Sequence, residues 1–413
     1  MAEYFDSLET RDPEERERAL MAALPRQLAH AKKHAPAFAQ ILAGVEPREI
    51  TSRKALAQLP VTRKTDVKEL QHAAPPFGGL VAGAPGALAR IFVSPGPIHD
   101  PEGARPDYWR TARALFAAGF RRGDIVQNCF TYHFTPAASM IECGALKLGC
   151  AVIPAGVGQT EMQVQAMSGL KPDGYCGTPS FLKIIIEKAL EMGADISSVR
   201  KAGVAAEALP PSLRRWLKDH GVKTVLQWYG TADVGQIAYE SEAMEGMILD
   251  EEIVVELVRP GTGEPVADGE VGEVVVTTLG PDYPLIRFGT GDLSAVMPGI
   301  SPCGRTNVRI RGWMGRADQT TKVKGMFVHP AQVAEVLKRH REIVKARLVV
   351  DNPGGQDRMT LHCETSAANP EGLALAIAES MREVTKLRGE VAFRKPGELP
   401  NDGKVIEDAK KYD

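Results

Sequence analysis

The sequence lacks the marks of a membrane-spanning, secreted or nucleic-acid-binding protein. No window of its 413 residues approaches the roughly 18 continuous apolar residues that a membrane span needs. Its start, MAEYFDSLETRDPEERERAL, is acidic and polar, whereas a secretory signal is basic and then apolar. Lys and Arg number 50 against 52 Asp and Glu, so the protein has no excess of positive charge that would attract nucleic acid. We expect a cytoplasmic protein that binds neither membranes nor nucleic acid.

Paired cysteines, internal repeats and low-complexity tracts are also missing. The six cysteines are scattered without a C-x-x-C pair, which favours reduced thiols over disulfides or a zinc site. Hydrophobic residues make up 44% and charged residues 25% of the chain, as is usual for globular proteins. The length exceeds what one core holds, so about two or three domains are expected.

The pattern of apolar residues predicts an α/β protein. Residues 1 to about 90 have helical spacing, and between about 120 and 230 strand-like runs such as DIVQNCF and KTVLQWYG alternate with amphipathic helices. This alternation predicts a mostly parallel sheet covered by helices. Ligands of such sheets lie beyond the carboxyl ends of the strands. The loops after IFVS, QNCF, AVIP, YCGTPS, AGVAA and VLQWYG are therefore the candidate site.

Two further regions follow along the chain. After residue 245, runs such as DEEIVVELVRPGTG and GEVVVTTLG alternate like antiparallel strands and predict a barrel-like β subdomain. The last ninety residues or so read as helix, strand, strand, helix and strand, which is a small α+β unit. We divide the chain into a large domain, residues 1–317, and a small mobile domain, residues 318–413.

A single polar residue in one of these loops is a weak indicator of function, because Tyr229 could be an ordinary buried aromatic and Asp292 an ordinary turn residue. Their order along the chain carries more weight. The segments YGTADVG, PLIRFGTGDLSAV, PCGRTNVRIRGWMGRADQTTKVKG and GELPNDGKVIEDAKK resemble, in order and spacing, the core motifs of the adenylate-forming acyl-CoA ligases, in the phenylacetate-CoA ligase branch. The resemblance runs from about residue 90 to the end. It implies that ATP and a carboxylic acid form an acyl-adenylate, and that coenzyme A then accepts the acyl group.

The resemblance implies roles for the loop residues. Tyr229 would stack on adenine, and Asp292 would accept hydrogen bonds from the ribose hydroxyls. Asp233 stands where the family has a Mg²⁺-binding glutamate, and it keeps a hard oxygen ligand on a shorter side chain. The remaining nucleotide-pocket candidates are Ala205, Ala206, Glu207, Gly230 and Thr231.

The motifs near the C-terminus imply a lysine that acts only during adenylation. Lys404 matches it, on a domain that can bring an ammonium to the α-phosphate and remove it again. Asp318 matches the hinge of that domain. Arg316 would reach the ribose or phosphate, and Gly325 would lie beside the pantetheine of coenzyme A.

The loops FTYHFTPAAS, AGVGQ and GTPS coincide with the family's acyl-pocket loops. Tyr132 and Phe134 suit an aromatic acid, because aromatic faces stack with only two torsions to fix. His133 fits a packing role as well as a substrate contact. The wall candidates are Tyr132, His133, Phe134, Ala138, Gly156 and Gly158.

Two family features are absent. Many relatives hold zinc with cysteines and a histidine, but here only Cys303 remains, with Ser301 and Met247 near the other positions, so no structural zinc is expected. The family's phosphate loop, S-S-G-T-T-G-x-P, is reduced to SPGPIHDP.

The reduced loop keeps Ser94, Gly96 and Pro101 but places Pro97 and Ile98 at the threonines, His99 at a glycine and Asp100 at the usual lysine. Two interpretations stay open: the turn only connects a strand to a helix, or it still binds the triphosphate weakly through backbone N–H groups around Gly96 and His99. Asp100 would repel the phosphates, less so if the loop is exposed to solvent.

The leading hypothesis is an AMP-forming ligase that makes a coenzyme A thioester of an aromatic acid, with ATP and Mg²⁺ as cofactors and, from the resemblance, a homodimeric state. One alternative is an adenylating enzyme that passes its acyl group to a carrier protein or another acceptor. The other is a non-catalytic relative that binds a nucleotide or an acyl-adenylate. Pyrophosphate release and acyl-CoA formation separate the three.

Overall fold

A computed structural model describes residues 3–259, 261–314, 316–317, 319, 321–324, 326–328, 330–365, 370–400 and 404–411. The chain divides into two compact units, Met1–Met314 and Gly315–Asp413. The predicted hinge residue Asp318 and the predicted pantetheine-side residue Gly325 lie outside the described residues.

Unit 1 contains nine helices within the described residues. They are α1 (Pro13–His34), α2 (Pro36–Ile41), α3 (Arg53–Leu56), α4 (Lys64–Ala73), α5 (Ala112–Ala117), α6 (Ala137–Leu148), α7 (Thr160–Leu170), α8 (Pro179–Met192) and α9 (Pro211–Asp219). Local signals explain their ends: the Asp12 carboxylate accepts from the Glu14 and Glu15 amides at the start of α1, and Gly193 adopts a left-handed conformation after α8.

The strands of unit 1 are β1 (Thr62–Arg63), β2 (Arg90–Ser94), β3 (Ile98–Glu102), β4 (Ile125–Asn128), β5 (Ala151–Ile153), β6 (Gly174–Gly177), β7 (Lys201–Val204), β8 (Thr224–Thr231), β9 (Gly235–Tyr239), β10 (Met247–Leu249), β11 (Ile253–Val258), β12 (Val271–Thr278), β13 (Phe288–Met297) and β14 (Arg309–Ile310). Within the described residues, all but β2 and β3 join one sheet of order β11-β12-β13-β14-β10-β9-β8-β7-β6-β4-β5, with β1 beside β13. Strands β2 and β3 form a separate hairpin.

The large sheet has a parallel part and an antiparallel part. Strands β4 to β8 pair in parallel, and from β8 to β14 the pairing is antiparallel. Strands β6 and β9 are buried along their whole length, as expected where helices cover both faces. The predicted α/β class is confirmed, with one large mixed sheet in which β4 to β8 form the parallel part. The antiparallel strands that were predicted as a barrel-like subdomain continue this sheet.

The N-terminal helices belong to the same core as the antiparallel strands. Leu24, Leu28 and Phe38 are fully buried in one cluster with Val254 and Phe288. Helix α4 begins directly after β1, which pairs with β13 inside the large sheet. The helical segment 1–90 therefore helps to build the site.

Unit 2 is a small α+β unit. Its elements are β15 (Thr321–Val323), β16 (Met326–Val328), α10 (Pro330–Arg339), β17 (Ile343–Asp351), β18 (Arg358–Thr365), α11 (Pro370–Thr385), β19 (Glu390–Arg394) and β20 (Ile406–Asp408). Four of its strands pair in the order β19-β18-β17-β20, and Leu348, Leu361 and Ile377 lie in its core. In the described part of the chain, no helix is both long and apolar enough to cross a membrane.

Candidate active site

Tyr229, Asp292 and Trp313 form a hydrogen-bonded group, here called the adenosine-side group. The Tyr229 hydroxyl, near the end of β8, donates to Asp292 Oδ2 at 2.9 Å. The Trp313 indole N–H donates to Asp292 Oδ1 at 3.1 Å. Tyr229 and Asp292 are buried, while Trp313 is half exposed. The structure thus joins the two residues that the motifs marked, and it adds Trp313, which the sequence interpretation overlooked.

The segment Ala205–Glu207 follows β7 and is held in place at both ends. The Ala205 amide donates to the Gly177 carbonyl at 3.3 Å. The Glu207 carboxylate accepts from the Ser180 amide at 2.6 Å. Between them, Ala206 has a φ of 69°, a left-handed conformation that is uncommon for alanine. Such a conformation persists only where the surroundings enforce it, and it often lies at a functional site.

The β8–β9 turn carries the next three candidates. A Cβ on Gly230 would lie 2.4 Å from the Gly235 carbonyl oxygen, so only glycine fits this close approach. The Thr231 hydroxyl accepts from the Val234 amide at 3.2 Å. This local bonding turns the chain so that Asp233 is buried under the turn.

Asp233 forms an ion pair with a residue that the sequence interpretation overlooked. Lys64, the first residue of α4, donates to Asp233 Oδ2 at 2.9 Å. The other carboxylate oxygen, Oδ1, is buried and has no hydrogen-bond partner among the described residues. The two residues are 169 positions apart in the chain, and no local signal links them.

The shortened phosphate loop is a three-residue turn between β2 and β3. Ser94 pairs with Ile98 across the turn at Gly96, and Asp100 lies on β3 with no solvent exposure. Burial and the charge of Asp233 raise the pKa of Asp100 to about 7, although Ser94 and Lys64 act in the opposite direction. Solvent therefore does not screen the charge of Asp100, as it would if the loop were exposed.

Helix α4 fixes this hairpin from one side. The Gln71 side chain donates to the His99 carbonyl at 2.9 Å and accepts from the His99 amide at 2.8 Å. Lys64 and Gln71 are seven positions apart and so lie on one face of the helix. The sequence interpretation that the His99 N–H is a donor to the phosphates is wrong for this conformation, because Gln71 accepts it.

A magnesium ion is implied by the resemblance, and the carboxylates fit one. Asp233 offers a buried oxygen without a partner, and Mg²⁺ is commonly held by one or two carboxylates together with substrate phosphates. Among the described residues, no group of three or more His, Cys, Asp or Glu side chains is arranged for a metal ion.

The candidate acid pocket is organised around Asn128, at the end of β4. Its side-chain amide donates to the Tyr132 hydroxyl at 3.0 Å and to the Ala138 carbonyl at 2.9 Å. The backbone carbonyl of Asn128 accepts from the Gly156 amide at 3.0 Å. Gly158 is joined through Gln163, which donates to the Gly156 and Gly158 carbonyls. Asn128, overlooked in the sequence, thus brings wall candidates from three loops together.

The aromatic wall candidates are the more exposed members of this pocket. Phe134 is 71% exposed, and its ring stacks on that of His133 with centroids 5.9 Å apart. The Phe134 carbonyl accepts from the Val93 amide of β2 at 2.8 Å, so the acid-side loop adjoins the shortened phosphate loop. The Tyr132 hydroxyl donates to Glu142 at 3.0 Å.

Unit 2 carries Arg316 and Lys404. Lys404 is exposed and directly precedes Val405 and Ile406, whose amides donate to the Gln319 side chain at 2.6 and 3.1 Å. Arg316 is partly exposed. The roles of both in adenylation stay predictions.

Cys303 is hydrogen-bonded to protein groups. Ser301 and Arg305 contact its sulfur at 3.1 and 3.6 Å, and Arg305 also pairs with the buried Glu9 at 2.7 Å. Burial raises the pKa of the thiol, but the hydrogen bonds with Ser241, Ser301 and Arg305 outweigh this and lower it.

Comparison with known proteins finds similarity over most of the chain. The AMP-binding enzyme family matches residues 107–280. A phenylacetate-coenzyme A ligase of Thermus thermophilus is 32% identical over 382 residues, which cover 88% of this chain and 84% of that protein. One from Aromatoleum evansii is 30% identical over 359 residues, covering 83% and 79%.

Solved structures resemble the fold. A 2-hydroxyisobutyryl-CoA ligase in complex with 2-HIB-AMP and CoA superposes with a TM-score of 0.77 at 24% identity, covering 98% of this chain and 92% of that one. An amide bond synthetase from Marinactinospora thermotolerans superposes with a TM-score of 0.52 at 17% identity, covering 78% and 68%.

Proposed function

The chain belongs to the AMP-binding enzyme family, and we propose that it is an AMP-forming ligase that activates an aromatic carboxylic acid with ATP and transfers it to coenzyme A. The observation that carries this proposal is the hydrogen bond between Tyr229 and Asp292 beside the turn that buries Asp233. The bond joins Tyr229 of β8 to Asp292 of β13, and Asp233 lies in the β8–β9 turn that directly follows Tyr229's strand. The motifs assign these three residues to adenine, ribose and metal.

Acid–coenzyme A ligation is supported by the similarity to phenylacetate-coenzyme A ligases over more than four fifths of the chain. The choice of an aromatic acid has narrower support. The relatives' names point to an arylacetic acid, and the loop of Tyr132 and Phe134 carries exposed aromatic side chains. An acid of this kind would lie between the Asn128 loops and the β2–β3 turn.

The first step must join two anions, because the acid carboxylate attacks the α-phosphorus of ATP and pyrophosphate leaves. Such a reaction depends on positioning and on neutralising charge. Asp292 would position the ribose, and Lys404 would bring a positive charge to the reacting oxygens. Bound Mg²⁺ would neutralise phosphate charge, with Asp233 holding it through the oxygen that Lys64 leaves unused.

The second step places the coenzyme A sulfur on the acyl carbon, with AMP as the leaving group. Lys404 has no role in this second step, because the protein's contacts with the nucleotide already neutralise the negative charge of the departing AMP. We propose that the small domain removes Lys404 between the steps, around Asp318, and that Gly325 leaves space for the pantetheine.

The test is a screen for pyrophosphate release over aryl, arylacetic and arylpropionic acids, with 2-hydroxyisobutyric acid as an aliphatic comparison. An arylacetic or aryl acid should give both pyrophosphate and, when coenzyme A is added, its thioester by mass spectrometry. Turnover of the aliphatic acid alone would overturn the aromatic assignment. Pyrophosphate release without a thioester would overturn coenzyme A as the acceptor.

A further inference from the structure

The loop between β5 and α7, here called the β5–α7 loop, carries two of the acid-pocket candidates and is exposed to solvent. Val157 is 59% exposed and lies between Gly156 and Gly158. Both glycines adopt left-handed backbone conformations, with φ values of 66° and 74°. Glycine allows such conformations but does not enforce them, because it has more conformational freedom than any other residue. The shape of the loop must therefore be fixed by contacts from outside it.

One buried side-chain amide makes those contacts. Gln163 lies on α7 and is 3% exposed. Its Nε2 donates to the carbonyls of Ala155, Gly156 and Gly158 at 3.2, 3.0 and 3.2 Å. An amide nitrogen has two hydrogens, so the three carbonyls share them. A single side chain thus holds most of the backbone of the β5–α7 loop.

Two buried donors hold the other end of the Gln163 amide. Gln127 Nε2 donates to Gln163 Oε1 at 2.6 Å, and the Cys129 thiol donates to the same oxygen at 3.3 Å. Gln127 and Cys129 are 0% and 2% exposed. Because the loop carbonyls can only accept, Nε2 must face the loop and Oε1 must face these two donors. The orientation of the Gln163 amide is therefore determined by the protein and not by solvent.

The β5–α7 loop adjoins the aromatic wall of the acid pocket. A Cβ on Gly156 would lie 4.0 Å from Cδ2 of Tyr132, so the loop backbone lies beside the edge of that ring. The Gly156 amide donates to the Asn128 backbone carbonyl, and the Asn128 side chain donates to the Tyr132 hydroxyl, both at 3.0 Å. A shift of the loop would therefore change the space beside the Tyr132 ring.

We infer that Gln163 is a positioning residue that sets the shape of the acid pocket, because its three carbonyl contacts fix the β5–α7 loop. This inference rests on the proposed function, since it concerns how that function selects its acid. A displacement of about 1 Å in a substrate-positioning segment is enough to weaken catalysis strongly. The adenosine-side group is built from β8 and β13 and not from this loop, so the loss of Gln163 should affect the acid and spare ATP.

The kinetic test is Gln163→Met, which keeps the length of the side chain and removes its hydrogen bonds. With the acid that the screen identifies, the KM for the acid should rise about tenfold. The KM for ATP and the kcat at saturating acid should stay within about twofold of wild type. Gln27→Met is the matched control, because Gln27 is a buried glutamine of α1 whose side chain donates to the Gly280 carbonyl at 2.9 Å. It should leave the KM for the acid unchanged.

Hydrogen–deuterium exchange of the full chain without ligands measures the loop itself. In Gln163→Met, the amides of residues 155–159 should exchange about tenfold faster than in wild type, while those of β6 exchange at the same rate. Thermal unfolding checks that the variant is folded. If it is not, Gln127→Met removes the 2.6 Å bond to Gln163 Oε1 and should raise the KM for the acid about threefold, and an unchanged KM would count against the inference.

Three results would overturn the inference: unchanged exchange of the loop in Gln163→Met, an unchanged KM for the acid, or equal rises in the KM values for acid and ATP. A failure of the proposed function has a different signature, because wild type would then release no pyrophosphate with any acid. The role of Gln163 in acid selection would fail with it, and the exchange rates would still decide whether Gln163 holds the loop.

Discussion

The adenosine-side group and the phosphate side of the site, which is the β2–β3 turn with Asp100, differ in how much of the family's motifs they keep. Tyr229 and Asp292 keep the motif residues and bond each other directly at 2.9 Å. On the phosphate side the threonines and the lysine of the family's loop are gone, and Asp100 is fully buried on β3. The nucleoside motif is therefore intact in this chain, whereas the loop expected at the phosphates has lost the side chains that would bind them.

The contrast teaches that one binding motif can be kept in a chain while a neighbouring motif is lost. A phosphate loop with lysine and threonines neutralises charge with its own side chains and N–H groups. Here the turn is too short for that, and the His99 amide is already bonded to Gln71. The cation nearest to Asp233 is instead Lys64 of α4, which pairs with it at 2.9 Å.

The sequence predicts the adenosine-side group far better than the phosphate side. Tyr229 and Asp292 could be found because each lies in a contiguous motif at the end of a strand. Lys64 and Asn128 could not, because their roles depend on packing between segments far apart in the chain. Alternation places Ile98, Asp100 and Glu102 on one face of β3, but nothing local says that this face is buried.

The same distinction holds for the fold. The change from helical to alternating periodicity predicted the α/β class and the small C-terminal unit, because period is a local property. The attachment of α4 to the sheet is not local. It results from the burial of Leu24, Leu28 and Phe38 against the antiparallel strands, which only the folded chain brings together.

The largest expected effect tests whether the phosphate side needs a cation from unit 2. Lys404→Ala should lower pyrophosphate release by about a hundredfold or more, the usual cost of losing a preorganised charge contact. Conversion of a supplied acyl-adenylate and coenzyme A to thioester should be unchanged. Lys395→Ala, an exposed lysine of the same unit, is the control. Equal losses in both half-reactions would contradict a role limited to adenylation.

A second variant loosens the phosphate side without touching its charges. Gln71→Ala removes two hydrogen bonds to the His99 peptide and leaves a part-buried N–H and C=O unpaired. The free energy of unfolding should fall by about 2 kcal/mol, measured by urea denaturation. Gln58→Ala is the control, because it removes an exposed glutamine side chain near α3. An unchanged midpoint would show that α4 does not hold the hairpin.

The third variant breaks the adenosine side alone. Asp292→Asn keeps one acceptor oxygen but replaces the other by an NH₂ group, so it cannot accept from Tyr229, Trp313 and the ribose together. The KM for ATP should rise about tenfold, the cost of one charge-assisted hydrogen bond, measured from initial rates of pyrophosphate release. An unchanged KM would contradict the assignment of Asp292 to the ribose.

The smallest expected effect concerns Asp107, a carboxylate that none of the motifs on either side marks. Burial raises the pKa of Asp107 to about 6, although the Ala112 and Thr111 amides counteract it. The unfolded state therefore releases this proton first as the pH rises, and folding stability falls with increasing pH. Between pH 5 and 7.5 the loss from this group is about 1 kcal/mol, and Asp107→Asn should remove that part of the pH dependence in urea titrations. The Thr111 amide, which donates to Asp107 at 2.9 Å, limits the size of the effect because it favours the charged carboxylate. The same pH dependence in wild type and Asp107→Asn would mean that the Asp107 carboxyl does not hold a proton in the folded state at pH 5.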